Sequence, residues 1–95
     1  MIIRWTRTAQ RDRDDAIDYL MQESPASALL VDQRIDEGLL MLYRHPFAGR
    51  IGRARGTREL IVPDTTYIAA YRIHGQDILI LRLLHMARRW PKAPS

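Results

Sequence analysis

The chain has 95 residues, 46% apolar and 27% charged, which is one domain with room for a single modest core and too apolar for general disorder. It has no cysteine, which excludes a disulfide framework and thiolate metal or nucleophile chemistry and fits a reducing cytoplasm. The net charge of +4 is unevenly spread: residues 1–43 hold five Arg against eight acids, a balance of −3, and residues 44–95 hold nine Arg and one Lys against three acids, a balance of +7.

Ile2 to Thr6 is β-branched and aromatic and is predicted to be a short strand. Thr8 is the expected N-cap of a first helix over Ala9 to Glu23. Ala9, Ala16, Ile17, Leu20 and Met21 form its apolar stripe, with Arg11, Asp12, Asp14, Asp15 and Asp18 on the solvated remainder. The Asp run has neither the glycine nor the spacing of an EF-hand, so no metal is expected there. Ser24-Pro25 combines a favoured N-cap with the residue that suits the first helical position. The second helix then carries Ala28, Val31, Ile35, Leu39 and Leu42 inward, widened by Leu30. It should end near Arg44, because Pro46 disfavours helical geometry at His45.

Phe47 to Gly56 holds three glycines and three arginines in ten residues and is expected to be a mobile basic connector. Its glycines match neither a Walker loop nor GxGxxG, so no nucleotide cofactor is expected. Thr57 to Val62, Tyr67 to Ile73 and Ile78 to Leu84 are three strand runs, joined by turns at Pro63-Asp64 and His74-Gly75. The last run is nearly continuous in its apolarity, as suits a central strand covered over much of both faces. The tail from Pro91 to Ser95 should fray. The fold class is α+β, in the order β-α-α-β-β-β, with a helical hairpin packed on a small, mainly antiparallel sheet in a single domain over residues 1–95. No charged-then-apolar leader opens the chain and no run nears the ~20 apolar residues that span a bilayer, so a cytoplasmic protein without membrane contact is expected.

Arg outnumbers Lys fourteen to one, and Arg is the cation that forks onto phosphate or carboxylate. The last strand delivers His85, Arg88, Arg89 and Trp90 together to one end of the sheet, where a site is expected. Within that strand Arg82 reads as a paired structural cation, with Glu59 a candidate partner. Tyr67 and Tyr71 share one strand face and, with Trp5, are expected in the core.

The order of elements, together with HPFAGR at 45–50, GTRELIV at 56–62, YIAAYRI at 67–73 and ILRLLHMARRW at 80–90, resembles the RelE/ParE superfamily of bacterial type II toxins. The resemblance implies a growth-arresting toxin silenced by a cognate antitoxin. It also implies one of two targets. ParE-like members trap DNA gyrase, whereas RelE-like members cut messenger RNA on the ribosome. Cleavage would need a cation, a base and an acid, for which Arg58, His85 and Arg88 are the candidates. Against cleavage, RelE-like nucleases carry Arg after the aromatic residue that opens the middle strand, and Ile68 stands there; Leu84-His85-Met86-Ala87-Arg88 echoes the ParE-like strand end. Gyrase is the favoured target, RNA cleavage the alternative, and a non-toxic nucleic-acid-binding module a third reading. Arg50, Arg53, Arg55, Arg88, Arg89 and Trp90 are the expected target- or antitoxin-binding residues.

Overall fold

The structure is a computed structural model that describes residues 1–87. Arg88, Arg89, Trp90 and the tail from Pro91 to Ser95 lie outside the described residues.

The chain runs β1 (Ile3–Trp5), α1 (Arg7–Glu23), α2 (Pro25–Arg44), β2 (Arg50–Ile51), β3 (Arg58–Ile61), β4 (Tyr67–His74) and β5 (Asp77–His85). The strands form one sheet in the order β1-β5-β4-β3-β2, antiparallel except for the β1–β5 pair. The expected meander is therefore present. β2 is a strand that the expected connector did not foresee.

The start of α1 corrects the expected cap by two residues. Thr6, not Thr8, accepts the Ala9 N–H at 3.0 Å through Oγ1. The same hydroxyl donates to the Leu81 carbonyl at 3.2 Å, so one side chain starts the helix and fixes it to β5. Ser24 caps α2 as expected, accepting from Ser27 N with Pro25 in the first turn. Ala28, Ile35, Leu39 and Leu42 are buried on α2, with Val31 packed against them. Leu30 and Met21, expected on the inner stripes, are 49% and 50% exposed. Arg13 binds Asp32 and Asp36 across the hairpin and lies over the Trp5 ring, so the two helices and β1 share one cation.

Tyr67, Ala69, Tyr71, Leu60, Val62, Ile78, Ile80 and Leu83 meet the helices in one core, with Trp5 packed against it. β5 lies inside the sheet, between β1 and β4. Its register slips once, since Tyr71 pairs with Ile80 and Ala70 with Arg82, leaving Leu81 as an extra bulged residue. β1 covers β5 only from Ile78 to Ile80. Beyond it α1 takes over the edge, where Asp12 accepts the Leu83 N–H at 3.0 Å and two bonds from Arg82. Two expectations are thereby corrected: Arg82 pairs with Asp12 rather than Glu59, and Asp12 is not part of the solvated acidic face.

Candidate functional site

Five arginines, Arg44, Arg50, Arg53, Arg55 and Arg58, are carried by the end of α2, by β2 and β3 and by the turn that joins those strands. The segment expected to be mobile is fastened there by two buried groups.

The first is Tyr71 in β4, which is fully buried. Its hydroxyl accepts the Gly49 N–H at 2.9 Å and donates to the Pro46 carbonyl at 2.8 Å. Burial pushes its pKa above the ordinary tyrosine value, with the Gly49 N–H and the nearby Arg58 charge pulling the other way. Gly49 is required by proximity, because a Cβ there would lie 2.7 Å from Tyr71 Cε1. Arg58, the lateral neighbour of Tyr71, completes the clasp. Its Nη1 donates to the carbonyls of Gly49 at 2.9 Å and Phe47 at 3.3 Å, and its guanidinium lies over the Phe47 ring.

The second group is Glu59, whose side chain is 2% exposed. It accepts from Arg50 Nη2 at 3.2 Å and from the backbone N–H of Arg53 at 2.9 Å, with Arg53 Nε 3.7 Å away. Burying a carboxylate without hydrogen-bond partners of this kind would be costly. Gly52 N–H donates to the Thr57 carbonyl, and Thr57 Oγ1 returns to the Ala54 carbonyl, closing the turn. A Cβ on Gly52 would lie 2.3 Å from Thr57 Oγ1. Two of the three glycines therefore serve close packing rather than flexibility. Arg50, Arg53 and Arg55 are exposed on this fastened hairpin.

His85 ends β5 opposite Tyr67. Its Nδ1 accepts the Ala87 N–H at 3.0 Å and its Nε2 lies 2.8 Å from Thr66 Oγ1. Since a backbone N–H can only donate, Nδ1 must be the acceptor, and the ring hydrogen then sits on Nε2 toward Thr66. The Tyr67 ring meets His85 edge-on at 5.2 Å.

Of the three candidate nuclease residues, the two that are described, Arg58 and His85, stand apart. Arg58 and His85 flank β4 at Tyr71 and Tyr67, four residues or about 13 Å apart along the strand. Arg88 lies outside the described residues, as do Arg89 and Trp90. Among the described residues, no group of three or more His, Asp or Glu could hold a metal, and no helix is long and apolar enough to cross a membrane. Sequence reasoning missed Tyr71 and Glu59 as organisers of the basic loop. The glycines at 49 and 52, spaced between arginines, were the available signal of close approach.

A helical hairpin on a mixed five-stranded sheet is the architecture of the RelE/ParE class of small toxins. Residues 3–90 match the family model described as the ParE toxin of type II toxin-antitoxin system, parDE, and the chain belongs to that family. It is 39% identical over 90 residues to the Sinorhizobium fredii (strain NBRC 101917 / NGR234) protein named "Putative toxin Y4kP", covering 95% of this chain and 93% of that one. Among solved structures it resembles a chain of the chromosomal ParDE TA system from P. aeruginosa. There the TM-score is 0.79 and the identity 33%, over 90% of this chain and 95% of the other.

Proposed function

We propose that this protein is the growth-arresting toxin of a cytoplasmic two-protein module, held silent by a cognate antitoxin, and that it arrests growth by trapping DNA gyrase rather than by cutting RNA. The observation that carries the choice of target is Ile68. It occupies the place where RelE-like nucleases carry an arginine, it is 2% exposed, and it pairs with Leu84 across the sheet. No cation can act from that position on a phosphorane, whose charge must be met at close range. The state of His85 supports the same reading, because both ring nitrogens are already engaged by Thr66 and Ala87. Binding through Arg50, Arg53, Arg55, Arg88, Arg89 and Trp90 needs no proton transfer, only forked cations and an apolar anchor.

The test is a pair of assays on the purified full chain. Loss of gyrase supercoiling activity, with messenger RNA left whole on programmed ribosomes, is expected. Codon-positioned RNA cleavage with gyrase unaffected would reverse the assignment.

A further inference from the structure

Past the end of α2 the helical layer stops, and the helix-side face of the outer strands is open. Ile51, Arg58 and Tyr71 are lateral partners across β2, β3 and β4, so all three project from that face. Tyr71 is roofed by the segment it fastens, but Ile51 is 81% exposed. Ile73 lies two residues along from Tyr71 on the same face. The same register carried two residues past Arg58 sets Gly56, which has no side chain, opposite it. The result is a hollow of about 300 Å³ lined by Phe47, Ile51, Gly56, Thr57, Arg58 and Ile73. Phe47, at its wall, is 66% exposed.

A bare β-branched residue on an edge strand beside an exposed phenylalanine is a template for unwanted association. It calls for cover during storage and not only during action. Two guanidinia stand ready for an acidic occupant. Arg58 lines the hollow with its guanidinium over the Phe47 ring and donates hydrogen bonds only through Nη1 among the described residues, and Arg55, next to Gly56 in the chain, is exposed with no partner among them. We infer that this hollow seats an apolar side chain from an acidic segment of the cognate antitoxin, whose flanking carboxylates meet Arg58 and Arg55. The occupant is acidic because residues 44–95 carry a balance of +7. It is the antitoxin because that partner stays bound while the toxin is stored. The inference rests on the toxin-antitoxin reading above.

The test titrates the purified full chain with the purified antitoxin encoded beside it, and compares Ile51→Glu, Phe47→Ser and the conservative Ile51→Val. Ile51 and Phe47 are exposed, so the fold is expected to survive, as circular dichroism would verify. Binding at least about tenfold weaker for Ile51→Glu and Phe47→Ser, near-normal binding for Ile51→Val, and methyl NMR shifts at Ile51 and Ile73 on titration are expected. Growth arrest on expression without antitoxin is read separately. Unchanged antitoxin affinity in both disruptive variants overturns the hollow while leaving the toxin-antitoxin reading intact. Arrest lost with antitoxin binding intact assigns the hollow to the target and likewise overturns it. A wild-type chain that binds no such antitoxin brings down the reading beneath it as well.

Discussion

Asp12 and Arg82 are seventy residues apart in the chain, yet they meet in two hydrogen bonds, Nε to Oδ2 at 2.8 Å and Nη2 to Oδ1 at 3.1 Å. The same carboxylate takes the Leu83 N–H, which lies on β5 beyond the last β1 pairing. A helix side chain thus finishes the edge that the short first strand leaves open. The Asp12 bonds hold the Arg82 pKa above its ordinary value against the opposing effect of burial.

Asp12→Ala leaves a partly buried guanidinium and a backbone donor unpaired together. A stability loss of about 2 to 3 kcal/mol is expected in urea unfolding. Asp12→Asn still offers an oxygen to Leu83 N–H and should cost less. Equal midpoints for wild type and Asp12→Ala would show that the pair contributes nothing to the fold.

Tyr71→Phe removes the hydroxyl that fastens Pro46 and Gly49. A loss of about 1 to 3 kcal/mol is expected, with faster hydrogen exchange at the Gly49 amide. The pH dependence follows from the raised Tyr71 pKa. The folded state holds this phenolic proton more tightly than the unfolded state does, so stability from Tyr71 is fully present below the ordinary value of about 10 and is lost as pH rises through the folded value. An absorbance titration should show one tyrosine ionising late, and that late phase should be missing from Tyr71→Phe.

Glu59→Gln tests whether Arg50 and Arg53 act by position or by charge alone. The substitution raises net charge, so simple attraction would leave toxicity equal or greater. Lost positioning is expected to dominate, with roughly tenfold more protein needed to arrest growth, equivalent to ~1.4 kcal/mol. Full toxicity in folded Glu59→Gln protein would mean that the fastened hairpin is not needed for action.

At the strand end, glutamine at position 85 keeps hydrogen bonding but cannot serve as acid or base near neutral pH. His85→Gln should therefore stay toxic. Arg88→Lys with Arg89→Lys keeps charge and removes the planar fork, so toxicity should fall nearly as far as with both changed to Ala. A double Lys variant that is fully toxic, weakening only as salt rises, would show that attraction suffices.

What was legible in the sequence was local. Ser24-Pro25 marked the helix break because capping and proline geometry act within one turn. Gly75 marked the hairpin because its positive φ of 60° suits a turn residue without a Cβ. The first cap was misplaced because Thr6 and Thr8 are both plausible from spacing, and only contact with Leu81 chooses between them. The segment from Phe47 to Gly56 looked mobile because glycine and arginine are usual in loops. What fastens it, the Tyr71 hydroxyl and the Glu59 carboxylate, reaches it from other strands. Arg82 was rightly expected to be paired, but its partner sits on a helix whose aspartates look alike in one dimension. The family resemblance gave the class of toxin, because motif order over most of the chain carries that information.

The most direct measurement of the target is made in cells induced to express the wild-type chain without antitoxin, mapping DNA breaks and messenger 5′ ends from the same culture. Gyrase-dependent breaks and filamentation with intact ribosome-bound messages are expected. Messages cut at codon-defined positions, with unbroken DNA, would contradict gyrase as the target.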